Sequence, residues 1–328
     1  MGFSTGRELH VDAHLTNLAL NFRPSGFIAD MIAPIVNVDK QTNTYPVFSR
    51  FEAYAVEDTK RSPGTEAKKI TRSVGSNAYR CENYALGADV PIEDVANMDA
   101  AYRFELDEGK SRYLLTKLGL DYEKRVISLA VVTASVGSVF VCNSGWQGAG
   151  SGAGDAVSQI FQLKEYVKQT TGTDANRIMI GWRAHQRLLR NYHARNFVKG
   201  ANNGGGLLTR QALADLFEVD QYLVSGAMWH GYNEGQTAVF SIGNPMQDDL
   251  FVYFSPSAAT REDPAWMLSF RWQNPQLPTP LAVIRHPYDT RKQVDTIEAG
   301  YYQDERVVGP DYAVRLLTAV ASGAAGLI

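Results

Sequence analysis

The chain reads as α+β, and three observations carry that reading. A long two-stranded ribbon with a charged tip spans residues 44–90, one helical stretch of roughly 30 residues follows it, and the end of the chain is a series of strand-like runs punctuated by proline. The outgoing arm of the ribbon, TYPVFSRFEAYAV, is rich in aromatic and β-branched residues. Its tip, 57–69, holds Pro63-Gly64, one residue with a fixed φ and one with a permissive φ, which together predict a turn. The return arm alternates loosely, with Ile70 and Val74 on one phase and Tyr79 and Cys81 on the other. An isolated hairpin is marginal in water, so a ribbon with two mixed faces has to lay its aromatics on a neighbouring molecule. The plainer alternative is a surface hairpin folded back on its own domain.

Each flank has its own pattern. Residues 1–43 show no sustained period: His10, His14, Pro24, Gly26 and Pro34 interrupt it, leaving short apolar pieces such as FIADMIAPIV, and the segment reads as an extended arm. After the ribbon, Asn97 or Asp99 can cap a helix that runs to about Ala130. Its apolar stripe is Tyr102, Leu106, Tyr113, Leu114, Leu118, Tyr122, Val126 and Leu129, a 3-4 spacing that predicts a rod of roughly 45 Å. A second unit opens after the glycine-rich stretch 145–155. Asp155 caps a helix to Gln169 with Val157, Ile160, Phe161, Lys164 and Val167 on one face, and RIMIGW is a strand. A helix with Leu188 and Leu189, a flexible ANNGGG stretch, a helix over 207–217 and a short strand over 221–224 complete an α/β pattern. The last runs, FVYFS, WMLSFRW, LAVIRH and YAVRLLTAVA, are divided by Pro256, Pro264, Pro275, Pro278, Pro280 and Pro310.

Composition excludes several function classes. With 32 basic and 35 acidic residues the formal net charge is -3, and no Lys/Arg-rich tract or basic stripe stands out beyond the ribbon tip, which argues against a nucleic-acid grip as the main role. Two cysteines make no disulfide framework, the first residues form no signal peptide, and synthesis in a reducing cytoplasm fits. The longest apolar stretch, VISLAVVTASVGSVFVC, is too short and too broken for a membrane span, and the small-residue tail LLTAVASGAAGLI reads as a last strand with a loose end.

Signs of chemistry are weak. Gly148-x-Gly150-x-x-Ala153 matches a relaxed dinucleotide fingerprint, but the loop is too long for the tight turn its first glycine must make. The strand after the following helix ends without the Asp or Glu that would hold a ribose. A flexible connection between units is the simpler reading. His10 and His14 share a helical spacing without a Glu between them, and His185, His193, His230 and His286 are scattered. Glu262-Asp263 is a turn cluster, and no serine sits in a nucleophile elbow. The expectation is therefore no catalytic residue, no metal and no cofactor.

Here the residues reach a known family. The tip RSPGTEA followed by YRCENYALGADVPIEDVANMDA resembles the extended loop and spine-helix entry of tailed-bacteriophage major capsid proteins with the Hong Kong 97-type fold. RIMIGWRAHQRLLRNYH and LLTRQALADLFEVDQYLVSGAMW are similar to the strands and helices of that family's axial domain, and WMLSFRW with VDTIEAGYYQDERVVGPDYAVRLLTAVAS to its closing peripheral strands. The resemblance implies an N-terminal arm at 1–43, an extended β-hairpin loop at 44–90, a peripheral domain with spine helix at 91–155, an axial domain at 156–251, and peripheral strands with the C-terminus at 252–328. It implies a shell protein that self-assembles as hexamers and pentamers into an icosahedral head in the virion, built in the bacterial host cytoplasm and enclosing double-stranded DNA. Lys60, Arg61, Pro63, Gly64, Thr65 and Glu66 would then make the inter-subunit contact of the loop tip, and Asn202, Asn203, Gly204, Gly205 and Gly206 would line the capsomer centre. A portal protein, decoration or cement proteins and, since no long charged helical extension precedes the arm, a separate scaffolding protein are the implied partners. No membrane is among them. Packaged DNA would be confined by nonspecific proximity, with a few phosphate contacts from arm residues such as Arg7 and Arg23. Lys60, Lys68 and Lys69 also allow the lysine-to-asparagine crosslink that some relatives form. Two other readings of the residues stand beside this one: an encapsulin-like nanocompartment shell, and a soluble nucleotide-binding enzyme using the loop at 145–155.

Overall fold

The computed structural model describes residues 15–16, 26–48, 56, 58–67, 69, 74–97, 100–142, 145–146, 154–199, 208–230, 242–243, 245–275, 281–289 and 293–317. In chain order its elements are α1 (Ala29–Ile32), β1 (Ile35–Val38), β2 (Thr42–Phe48), β3 (Val74–Arg80), β4 (Glu82–Pro91), α2 (Ile92–Ala96), α3 (Ala100–Val131) and β5 (Ser138–Val141). Then follow α4 (Ala156–Thr171), β6 (Arg177–Gly181), α5 (Trp182–Arg190), α6 (Tyr192–Lys199), α7 (Arg210–Leu216), β7 (Gln221–Ser225), β8 (Trp229–His230) and β9 (Ile242–Gly243). The closing strands are β10 (Asp249–Tyr253), β11 (Met267–Trp272), β12 (Leu281–Asp289), β13 (Val294–Val307) and β14 (Ala313–Leu317).

Two five-stranded sheets are joined by the long helix α3. In the second sheet the spatial order is β5-β14-β10-β6-β7. Its inner strands are buried on both faces, so they read in the sequence as unbroken apolar runs rather than alternations. Alternation reappears when the two faces are separated: Ile178, Ile180, Leu250, Val252, Val314 and Leu316 point into one core, while Met179, Phe251, Tyr253 and Ala313 point into another. Helix α4 supplies Val157, Ile160, Leu163 and Val167 to the first core, and α3 supplies Tyr122, Val126, Ile127 and Ala130 to the second. Asp155 caps α4 as its spacing predicts, its Oδ1 accepting from the Val157 and Ser158 amides, both at 3.1 Å. Phe161 lies at the rim of that core, 37% exposed. Gly181 permits the tight approach that seats α5: a Cβ there would lie 1.9 Å from the Met246 carbonyl oxygen.

In the first sheet β13 is the hub, pairing antiparallel with β4, β11 and β12, and β1 joins parallel to β11. The front half of α3 packs Leu114, Leu115 and Leu118 on Val90, Val283, Ile297 and Tyr301 of this sheet. Arg125 ties the helix down further: its guanidinium is bidentate to Glu305 at 2.9 and 3.2 Å and stacks 3.6 Å above the Tyr84 ring. At 32 residues α3 is roughly 48 Å long, enough to run under both sheets.

The structure corrects the sequence reading at several points. Of the expected arm, residues 28–38 are built into the chain's own core: Ile32 is fully buried and β1 is a sheet member. Among the described residues the two arms pair with each other as β2 and β3, and from Glu82 the return arm becomes β4 of the first sheet. Asn97 ends α2 rather than capping α3, and Asp99 lies outside the described residues. Tyr113, placed on the apolar stripe, is 61% exposed, whereas Leu115 and Ile127 are buried. The run YAVRLLTAVA, grouped with the late strands, puts β14 in the second sheet beside β10. The physical reason is shared: partner choice in a sheet depends on residues distant in the chain, and local periodicity carries no record of it.

One polar group lies deep in the second core. Glu123 of α3 is fully buried, and its Oε2 accepts the Ile28 and Ala29 amides at 2.9 and 2.7 Å, fastening α1 to the helix. Burial pushes its carboxyl from the ordinary 4.5 up to about 7, with Asp30 adding to the rise and the two amides opposing it. The folded chain therefore holds an extra proton between those values. Its contribution to stability is full below 4.5 and is lost as pH rises through about 7. Relative to Glu123→Gln, which cannot ionise, the native chain is expected to lose about 3 kcal/mol between pH 4.5 and about 8. Urea unfolding of both chains across that range is the check, and parallel profiles would contradict it.

Candidate assembly surfaces

The ribbon has a buried base and an exposed tip. At the base Tyr45 of β2 and Tyr79 of β3 sandwich Phe270 of β11, with ring centroids 5.2 and 4.6 Å apart. Cys81 is fully buried beside them, and its Sγ donates to the Phe270 carbonyl at 3.3 Å. Burial pushes that thiol up to about 11, so it is an inert packing group. The plainer reading of the hairpin thus describes the base: these aromatics are covered by the chain's own sheet.

The tip differs. Its described residues, 58–67 and 69, are all exposed, and hydrogen bonds within the tip shape it. Gly64 has φ +82, and the Thr65 amide and hydroxyl both bond the Ser62 carbonyl, at 3.3 and 2.8 Å, closing a turn around Pro63-Gly64. Arg61 Nε donates to the Thr65 carbonyl at 2.6 Å, and the Lys60 amide to Asp58 at 3.1 Å. Glu66 is exposed. The six candidate tip residues therefore share one preformed, solvent-facing knob. Val56, at its root, is 97% exposed. The candidate axial residues Asn202, Asn203, Gly204, Gly205 and Gly206 lie outside the described residues, as do the arm histidines His10 and His14 and the arginines Arg7 and Arg23.

The second unit carries a surface that the sequence scan missed. From residue 175 to 214 no Asp or Glu occurs, while Arg183, Arg187, Arg190, Arg195, Lys199 and Arg210 do. No two of these cations are adjacent in the chain. Here Arg183, Arg187 and Arg190 recur at i, i+4 and i+7, which places them on one side of α5, opposite the buried Ala184, His185 and Leu188. Asp248 pairs with both Arg183 and Arg187 at 2.9 Å, and Trp182 beside them is 45% exposed.

The chemistry-bearing candidates become structural groups. His185 is buried 3.0 Å from the Tyr222 hydroxyl, and burial takes its ring down to about 4, so it stays neutral. His286 pairs with Glu298 at 2.6 Å on the first sheet, and the Asp263 carboxylate accepts the Thr260 amide at 2.8 Å as a turn group. The fingerprint Gly148, Gly150 and Ala153 lies outside the described residues. Both ends of that loop are pinned, with the Gly154 amide on the Gly145 carbonyl at 3.1 Å and Asn191 Nδ2 on the Trp146 and Gly154 carbonyls. Among the described residues no group of three metal-ligating side chains converges, and no helix is long and apolar enough to cross a membrane. A groove of about 360 Å³ between β5 and α4 is lined by Phe140, Gln159, Gln162 and Tyr166 with Glu165, and holds no pair of groups poised as nucleophile and base.

No protein-family model matches the chain. In sequence it is 25% identical over 224 residues to the major capsid protein of Burkholderia phage BcepMu, a match covering 67% of this chain and 70% of that protein. In structure it is similar to a phage-related protein of Bordetella bronchiseptica, with TM-score 0.73 at 18% identity over 95% of this chain and 99% of that one. It is also similar to the capsid of Cyanophage P-SCSP1u, with TM-score 0.56 at 11% identity over 91% and 89% of the two chains. A ribbon ending in an exposed knob, a helix spanning two sheets and this agreement along nearly the whole chain place the protein in the Hong Kong 97-type capsid fold, and its sequence is similar to that of a phage major capsid protein.

Proposed function

We propose that this chain is the major capsid protein of a tailed phage, a structural subunit whose copies close into the icosahedral head around double-stranded DNA. The observation that carries the reading is the tip: thirteen residues, 57–69, whose described members are all exposed and form a turn closed by their own hydrogen bonds, on a base locked into the chain's own sheet. Such an exposed, preformed knob suits a neighbour, against which Lys60, Arg61, Pro63, Gly64, Thr65 and Glu66 would dock. The sequence relationship to a phage major capsid protein supports the same reading.

Within it, the unit built on α4 to α7 and the second sheet is the axial domain, extended at its edge by β5 and β14. The first sheet with α3 is the peripheral domain. Asn202, Asn203 and Gly204 to Gly206, between α6 and α7, then face the capsomer centre. The subunit performs no catalysis and needs no cofactor. A portal protein, a separate scaffolding protein and decoration proteins complete the head, which is assembled in the host cytoplasm. Purified protein examined by light scattering and negative stain is expected to contain megadalton particles or capsomers. A compact species of about one to four subunits at all concentrations would instead favour a soluble enzyme.

A further inference from the structure

The second unit is electrically lopsided along its strands. Helix α5 leaves the C-terminal end of β6 with Arg183, Arg187 and Arg190 on its outward face, Arg183 and Arg187 reach Asp248 beside that end of the sheet, and Arg210 is exposed at the start of α7. At the N-terminal ends of β6 and β7 stand the exposed Asp215, Glu218 and Asp220, and Lys164 of α4, the cation beside them, donates to the Phe217 and Glu218 carbonyls rather than to their carboxylates. Asp215 and Asp220 accept only amide donors, from Gln211 at 2.9 Å and Asn176 at 3.2 Å. Five strand residues separate the two ends, roughly 16 Å. Opposite patches at opposite ends of one unit suit a heterologous contact, in which each copy offers its basic end to the acidic end of the next. An isologous contact pairs both ends within a closed two-copy unit, whereas a heterologous one leaves one patch of each copy open for the next neighbour, as a ring of copies requires.

We propose that the outward face of α5 is a docking surface for a second copy of this chain, whose acidic corner at Asp215, Glu218 and Asp220 it receives head to tail. The inference rests on the capsid reading and deepens it by naming the partner surface. A polyanion such as duplex DNA fits the face less well. Asp248 already shares Arg183 and Arg187, which reduces the charge available for phosphate neutralisation, whereas an exposed Trp182 flanked by arginines is the composition of a protein-binding hot spot.

The test is a charge swap in the full chain. Arg183→Glu with Arg190→Glu, and separately Asp215→Lys with Glu218→Lys, are each expected to abolish capsomers and shells. Combining all four substitutions in one chain is expected to restore them, because the two ends are complementary again. Arg190→Ala, at an exposed position, is the milder variant and is expected to raise the threshold concentration for assembly by about tenfold. Either charge-reversed pair assembling like the native chain, an unchanged threshold for Arg190→Ala, or a folded four-substitution chain that stays dissociated would overturn the proposal. So would an α5 variant that assembles normally but loses duplex DNA binding, which would assign the face to nucleic acid. A native chain that forms no assemblies at all would instead sink the capsid reading on which this one stands.

Discussion

Deleting residues 57–69 yields a chain that folds and melts like the native one but forms no closed shells. The tip holds its own shape through the bonds from Arg61 to Thr65 and from Thr65 to Ser62, and its described residues are all exposed, so removing it as a unit uncovers no core. The base keeps its own anchor in the Tyr45–Phe270–Tyr79 stack. What is lost is a preshaped, exposed knob, and a shell built from many modest interfaces does not close when each subunit lacks one. Thermal melting and particle sizing of the deletion separate the two parts of this prediction. Native-sized shells would refute the role given to the tip, and a collapsed melting curve would refute its independence.

Phe270→Ala is expected to cost about 3–5 kcal/mol, the range for emptying a fully buried aromatic site, and to loosen the ribbon from its base. The ring is the shared partner of Tyr45 and Tyr79, so its loss removes two stacking contacts and leaves both tyrosines facing a cavity. Phe161→Ala, at a site 37% exposed on α4, serves as the comparison and is expected to cost well under half as much. Urea unfolding gives the energies, and limited proteolysis between β2 and β3 reports the ribbon. Equal costs for the two substitutions, or an unchanged cleavage rate in the ribbon of Phe270→Ala, would show that the stack does not anchor it.

Much of this fold was legible in the chain, and the physical reason differs by element. Helix α3 announces itself because a 3.6-residue period repeated over many turns has no other structural solution. The turn at Pro63-Gly64 is equally local, since those two residues prescribe the backbone angles the tip adopts. The inner strands of the second sheet were visible as apolar runs, though not the two cores they separate. Less was legible at the surfaces. The arginine stripe of α5 escaped because its cations are three and four residues apart, and only a helix brings them together. Glu123 escaped as one carboxylate among many on a charged helix, although its place four residues before the buried Ile127 marks it as facing inward.

The sequence by itself determined the local geometry of this protein: the Asp155 cap, the length of α3, the strand runs and the turn at the tip. These follow from backbone preferences and from periodicities read over a few residues. Only the tertiary structure decided which sheet each strand joins, that residues 28–38 belong to the core rather than to a free arm, and that the base of the ribbon is covered while its tip is not. Those outcomes depend on contacts between residues as far apart as Tyr45 and Phe270. The free energy of burying such pairs belongs to the folded surface as a whole, so no window along the chain contains it.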